Sequence, residues 1–417
     1  MDAREQRGLE IANTTKLKGN AGLWLVPSSN KPDGYTVEID KVHQPRCSCP
    51  DYSFRFKKCK HIFAVEFTIE RKRIRTETKD GQTTVTETTE TVKVKRTTYR
   101  QEWKQYNAAQ AYEKSEFLAL LYSLANGIEE PLQTFGRPRL SMSDTIFAIV
   151  YKIYSTVSTR RFATDLRDAH QKGYLSKLPS YSTLFDYLKM EELTPYLKHL
   201  ITESGKILKS VEVDFAVDSS GFSTSQFGRW FVAKYGGEAD FRKWIKLHAM
   251  VGTKTNVVTS VEISTGFAND SPYFKGLVDS TVASGFKVAE VSADKAYLSK
   301  KNMLAVTHHG ATPYIPFKSN TQPSVDSEIW NRMYYFYRMH NAEFEAHYHK
   351  RSNVETTFHM IKSKFGERLR GKTETAQINE VLAKVLCHNI CCVVQSIHEL
   401  GIEATFHAEM QPARKVG

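Results

Sequence analysis

Two apolar runs that each end in an aspartate constrain this chain most. "SVEVDFAVDSSGF" is an apolar run leading to Asp218, and "FKVAEVSAD" is another leading to Asp294. Runs of this length and composition fit part-buried strands. A charge at the end of such a strand is costly unless something uses it. Around them, strands alternate with helices. "KWIKLHAMVGTKTNVVTSVEIST" predicts two strands around "TKTN". "NDSPYFKGLVDSTVASG" predicts a helix with Asp270 at its N-cap and Pro272 near its start. "SKKNMLAVTHHG" is a helix and "ATPYIPFK" a strand, and the segment from "SEIW" to "KFG" is mostly helical. "NEVLAKVLCHNICCVVQSIHEL" supplies a last helix. Residues 206–400 are therefore expected to form an α/β domain, a mixed sheet flanked by helices, of the ribonuclease H-like type.

Two strand-end carboxylates held side by side repel each other. A divalent cation relieves that, and Mg²⁺ prefers oxygen ligands. Each aspartate alone also fits a strand-end turn, and Asp214 competes for the first position. A third carboxylate from a helix would complete a two-metal site for in-line phosphoryl chemistry. The segment "YHKRSNVETTFHMIK" offers one. At about 100° per residue, Tyr348, Arg351 and Lys362 lie within about 40° of Glu355. Val354, Phe358, Ile361 and Phe365 form a separate apolar stripe about 90° away. The polar stripe suits a metal-bound phosphate, with Glu355 on the metal, Arg351 and Lys362 on phosphate oxygens, and Tyr348 as a donor. An amphipathic helix steadied by an Arg351–Glu355 pair is the plainer alternative.

Near the N-terminus, Cys47, Cys49, Cys59 and His61 are spaced C-x-C-x9-C-x-H. Three thiolates and an imidazole complete a tetrahedral zinc set and leave no seat for water, so the site is expected to be structural. The chain has six cysteines in 417 residues, and half of them fall in this short stretch. With no apolar leader in "MDAREQRGLEIANTTKLKG", that clustering points to metal rather than disulfides. The spacing resembles the SWIM zinc finger, a module associated with DNA or protein binding. Arg46, Arg55, Lys57, Lys58 and Lys60 could contact phosphates there, or be a solvated basic surface.

The net charge of +12 favours a polyanion partner, although a membrane surface would give the same balance. No run reaches the roughly 18 apolar residues of a membrane span. The expected organisation is a SWIM-like zinc-binding module at 1–66 and a Thr-rich polar hairpin or linker at 67–115. A helical DNA-binding or dimerisation region at 116–205 and the catalytic domain at 206–400 follow, with a polar tail at 401–417.

Tyr-x2-Arg-x3-Glu-x6-Lys at Tyr348, Arg351, Glu355 and Lys362 resembles the signature around the catalytic Glu of a large group of insertion-sequence DDE transposases. "VDSSGF" resembles the segment around that family's first Asp and "SADKAYLS" the segment around its second. The resemblance covers roughly residues 117–398. It implies that Asp218, Asp294 and Glu355 hold two Mg²⁺ or Mn²⁺ ions, nick DNA at transposon ends and transfer the strand into target DNA. It also implies double-stranded DNA as partner, a homodimer in the DNA complex, and a cytoplasmic, nucleoid-associated protein outside membranes. Two alternatives stay open: a transposase-derived DNA-binding protein without catalysis, and a ribonuclease H-like nuclease without strand transfer. The 61 positions between Asp294 and Glu355 leave no room for the large β insertion that some relatives carry. Trp330, in the shorter segment present, is a candidate base-stacking residue or a core residue.

"GERLRGKT" from Gly366 to Thr373 fits the pattern of a phosphate-binding loop, but it follows a helix rather than a strand. Arg368, Arg370 and Lys372 fit DNA-backbone contacts better. Cys387, Cys391 and Cys392 with His388 fit a packed helix face. His308 and His309 fit partners of a helix C-terminus.

Overall fold

The computed structural model describes residues 3–15, 17–20, 23–28, 31–39, 45–55, 57–77, 102–133, 136, 139–224, 244–404 and 406. Helix α1 (Ala3–Thr14) precedes strands β1 (Lys18–Asn20), β2 (Leu23–Ser28), β3 (Lys31–Glu38) and β4 (Arg46–Cys47). Helices α2 (Pro50–Arg55), α3 (Lys60–Glu77), α4 (Trp103–Asn126), α5 (Met142–Ser155), α6 (Thr159–Gln171), α7 (Tyr181–Leu188) and α8 (Leu193–Lys206) follow. Strands β5 (Asp214–Ser223), β6 (Trp244–Gly252) and β7 (Val258–Thr265) lead to α9 (Ser271–Ala283) and β8 (Glu290–Ala293). Then come α10 (Lys300–His308), β9 (Thr312–Tyr314), α11 (Glu328–Met339), α12 (Asn341–Tyr348), α13 (Ser352–Phe365) and α14 (Glu374–Leu400). Because α3 runs to Glu77 and α4 starts at Trp103, the hairpin or linker expected over 67–115 is helical at both ends. Its middle, 78–101, lies outside the described residues, as does most of the 401–417 tail.

The chain divides into two compact units, one made of Met1–Thr97 and Phe317–Tyr348, the other of Thr98–Pro316 and His349–Gly417. In the first, β1–β4 form an antiparallel sheet in sequence order. Strand β2 alternates, with Trp24 and Val26 buried and Leu23 and Leu25 exposed, the period of two that a one-sided sheet requires. The inward residues pack with Tyr35 and Val37 of β3 and Ile62, Ala64 and Val65 of α3. Helix α1 crosses α3 at Gly8, where a Cβ would come within 2.5 Å of that of Phe63, so only glycine permits the approach.

Helices α11 and α12, inserted between Asp294 and Glu355 in sequence, belong to this same unit. His340, between them, is buried; Arg55 donates to its Nδ1 at 3.1 Å, and its Nε2 lies 3.0 Å from Asp51. The Arg55 guanidinium also covers the Phe336 ring at 5.3 Å. Trp330 packs edge-on against Phe317 at 5.0 Å, and its indole N–H donates to the Gln322 carbonyl at 3.0 Å. That is the packing of a core-side residue.

In the second unit the sheet order is β7-β6-β5-β8-β9. β7, β6 and β5 meander antiparallel, while β5, β8 and β9 are parallel. This is the mixed sheet expected from the sequence. The β6–β7 turn is clamped by buried Glu212, whose carboxylate accepts from the Lys254 and Thr255 amides. Gly252 makes room for it, since a Cβ there would meet the carboxyl carbon at 2.4 Å. Asp270 precedes α9 but does not cap it; its carboxylate pairs with Lys246 at 2.5 Å instead.

Helix α14 packs on α4, α5 and α8 through Leu382, Val385, Leu386, Ile390 and Val393. Asn389 fastens it to the sheet: its Oδ1 accepts from the Val258 amide at 2.9 Å, and its Nδ2 donates to the Val258 and Ile201 carbonyls. α14 is long and apolar enough to cross a membrane by length and composition, contrary to the sequence reading. Yet 78% of its most apolar window is buried within the protein, which is the behaviour of a core helix. Cys387, Cys392 and His388 are buried on it, with His388 Nε2 bonded to the Asn256 carbonyl.

Candidate active site

Strands β5 and β8 run side by side, and Val217–Ala293 is their last paired rung. The next residue on each strand is an aspartate, which sets Asp218 and Asp294 about 5 Å apart at the backbone. β5 continues to Ser223, so Asp218 lies within the strand and not at its end, as expected from sequence. What ends there is the pairing with β8. Asp294 turns the chain into a 3-10 turn, its Oδ1 accepting from the Ala296 amide at 2.7 Å.

Asp218 Oδ1 accepts from the Ser219 amide at 2.8 Å, and Oδ2 accepts from Arg351 Nη1 at 2.6 Å. The other Nη of Arg351 donates to Glu355 Oε1 at 2.5 Å. One guanidinium thus bridges carboxylates of β5 and α13. Burial pushes the Asp218 carboxyl up to about 6. The Ser219 amide and Arg351 work against that rise, whereas the charges of Asp294 and Glu355 add to it. Three like charges therefore act on one another where the pairing of β5 with β8 ends, the situation in which a hard divalent cation is favoured. With Arg351 between them the oxygens are not gathered to ligand spacing. Among the described residues, the donor atoms that lie within 4.8 Å of one another belong to Cys47, Cys49, Cys59 and His61.

The stretch from Tyr348 to Lys362 is not one helix. α12 stops at Tyr348, His349–Arg351 form a 3-10 turn, and α13 starts at Ser352. Arg351, Glu355 and Lys362 keep their common stripe, with Val354, Phe358, Ile361 and Phe365 buried beside it. Lys362 Nζ sits 5.3 Å from the centre of the Phe222 ring, four residues beyond Asp218 on β5. Eleven residues of helix and four or five of strand both span about 15 Å, so α13 runs alongside β5. The Leu369 amide closes the far end on the Ser223 carbonyl at 2.9 Å. Tyr348 belongs to the other unit, its ring stacked on Phe344.

Asp214 is removed from contention: Lys350 Nζ bridges it at 2.7 Å to Glu290 at 2.8 Å, tying the starts of β5 and β8. The sequence reading passed over Tyr297, buried three residues after Asp294. Burial first, then Asp218, holds its phenol well above its ordinary value, so it is a neutral wall beside the site. Its only sequence signal was its place in "SADKAYLS".

Arg368, Arg370 and Lys372 are exposed after α13. The Arg370 and Gly371 amides donate to buried Glu380 at 2.7 and 2.9 Å, and Lys384 donates to the Gly366 and Arg368 carbonyls. A carboxylate therefore takes the amides that a phosphate-binding loop would offer its ligand. Arg370 and Lys372 border a cavity of about 340 Å³ lined by Ile149, Phe185, Leu188 and Phe365.

In the first unit, Cys47, Cys49, Cys59 and His61 are all buried. His61 Nδ1 lies 3.8 Å from both Cys47 and Cys59 Sγ. Hydrogen bonds from Cys47 and Cys49 push the Cys59 thiol far down, while those with Cys49 and Cys59 push Cys47 up. Crowded thiols that cannot all ionise alone are the donor set of a thiophilic cation. Of the nearby cations, Arg55 is held by Asp51 and His340, and Lys58 by Glu66 at 2.7 Å. Arg46 and Lys57 are exposed.

Residues 209–390, which contain Asp218, Asp294 and Glu355, match the family model of the transposase DDE domain. Residues 35–70, which contain the four thiol and imidazole donors, match that of the SWIM zinc finger. The chain carries a transposase DDE domain and a SWIM zinc finger. Among solved structures it is similar to the cryo-EM structure of the piggyBac transposase synaptic complex with hairpin DNA. That likeness has 10% identity and a TM-score of 0.34, over 72% of this chain and 77% of that one. In the DDE domain, Asp218 of β5, Asp294 just after β8 and Glu355 of α13 are the candidate catalytic set.

Proposed function

We propose that this protein is a DNA transposase that cuts its element's ends and joins them to target DNA, using divalent cations held by Asp218, Asp294 and Glu355. The observation that supports it is a buried Asp218 whose carboxyl is pushed up to about 6, chiefly by burial and further by the charges of Asp294 and Glu355, inside a transposase DDE domain. Two Mg²⁺ or Mn²⁺ ions there would activate water or a 3′-hydroxyl and stabilise the leaving oxygen. The Ser219 and Ala296 amides hold the two aspartates in place. Arg351 neutralises Asp218 and Glu355, and its charge becomes available to a phosphate oxygen once those carboxylates have other partners. Lys362 sits further along the same helix edge, and Arg368, Arg370 and Lys372 extend the positive surface for the DNA backbone. Tyr348 is proposed as a further DNA contact, and the working complex as a homodimer. One Zn²⁺ on Cys47, Cys49, Cys59 and His61 would hold the N-terminal module together.

The test is joining of pre-cut element ends into plasmid DNA with Mn²⁺. The wild-type chain is expected to join them and Asp218→Ala to fail by at least a thousandfold. Cutting without joining would favour the nuclease reading, and joining by Asp218→Ala would refute the site.

A further inference from the structure

The first unit holds a second cavity, of about 420 Å³, lined by Arg7 of α1, Lys60 of α3, and Ser319, Thr321, Gln322, Tyr334, Arg338 and Met339 of the inserted segment. Three cations from three separate parts of the chain face it, and no carboxylate lines it. The Arg338 guanidinium lies 5.4 Å from the centre of the Tyr334 ring and donates from Nη2 to the Ser319 carbonyl at 3.1 Å. Its Nε is buried and has no hydrogen-bond partner among the described residues. Arg7 is pulled below its ordinary value by burial, and Arg338 adds to that fall; Glu10, one turn along α1, opposes it from outside the cavity. Gathering like charges around one space costs stability and leaves donors unanswered. An anion in the cavity would answer all of these groups together, with the Ser319 and Thr321 hydroxyls and the Gln322 amide as further donors. The volume exceeds that of a lone phosphate and suits a nucleotide-sized group.

We infer that Arg7, Lys60 and Arg338 form a binding site for a backbone phosphate of DNA, built jointly by α1, α3 and the inserted segment of this unit. This rests on the proposal that the protein acts on DNA. It adds a binding site separate from the three carboxylates, within the unit that carries the zinc donors.

A structural role and a ligand role predict opposite signs. If the three cations merely held the fold, Arg338→Gln would lower both the melting temperature and DNA affinity. If they wait for phosphate, Arg338→Gln and Arg7→Gln relieve repulsion, so the melting temperature holds or rises while DNA binding weakens. The readout is the salt dependence of DNA binding by the full-length chain, measured by fluorescence anisotropy. Each neutralised cation should lower the slope of log K against log salt by about 0.9. Arg338→Lys, which keeps the charge, should retain the slope, and zinc content should not change. An unchanged slope in both Gln variants, with the wild type binding DNA normally, overturns the site and leaves the proposed function standing. A wild-type chain that binds no DNA overturns both. Stabilisation by inorganic phosphate that is lost in Arg338→Gln, with no change in DNA slope, would mark a free-anion site and overturn the DNA assignment.

Discussion

Asp218→Asn should make the protein more stable while removing its activity. The Asp218 carboxyl is pushed from an ordinary value of 3.8 to about 6, and its side chain is 17% exposed. A rise of about two units corresponds to at most about 3 kcal/mol of cost for holding it ionised at neutral pH. That figure already includes the help it receives from Arg351 and the Ser219 amide. Because the folded value lies above the unfolded one, the cost is absent below about pH 3.8, grows between 3.8 and 6, and is complete above 6. Asparagine keeps the acceptor for the Ser219 amide and removes the charge. Urea unfolding at pH 7.5, without added Mg²⁺ or Mn²⁺ and without chelator so that the zinc module is left alone, should show the variant more stable by about 2–3 kcal/mol. At pH 3.5 the two chains should unfold together. Adding Mn²⁺ should stabilise the wild type and not the variant. A variant less stable than wild type at pH 7.5 would refute the claim that a buried charge, opposed by its neighbours, strains the strand at Asp218.

Two further outcomes test the surroundings. Lys384→Met should cost about 3–5 kcal/mol in urea unfolding, because it strands the buried Glu380 carboxylate and the Gly366 and Arg368 carbonyls. Elemental analysis should find one zinc per chain in the wild type and none in Cys59→Ser, whose first unit should lose its protection from proteolysis; a full zinc complement in that variant would refute the ligand set.

What could be foreseen followed the reach of each interaction along the chain. The four zinc donors lie within fifteen residues and announced themselves. The two aspartates were legible because strand apolarity is a local property, and the parallel pairing of β5 with β8 then placed them side by side. The break at His349–Arg351 was not legible. No proline or glycine marks it, and the helical period runs through it unbroken. Its visible anchors are distant: Lys350 reaches Asp214 and Glu290, and Arg351 reaches Asp218, more than 130 residues back. The placement of the inserted helices was not legible for the same reason. Their place is fixed by His340 meeting Asp51 and Arg55, contacts that span almost three hundred positions. Glu380 and Lys384 carry no local sequence signal beyond two opposite charges four residues apart in the last helix, and burial is what shows them organising the Gly366–Gly371 loop.

The zinc-finger unit is stitched from two distant pieces of chain, and that limits how such a protein can be inherited. A finger carried wholly at one end could be gained or shed by a single exchange of gene segments. Here a chain beginning at Thr98 would still carry α11 and α12, with His340 deprived of Asp51 and Arg55 and Phe336 of the Arg55 guanidinium. Loss of the finger should therefore be matched by change between Asp294 and Glu355, inside the stretch that encodes the DDE domain. The two parts are bound to evolve as one gene, and a homologue lacking the four zinc donors should also differ in that inserted stretch.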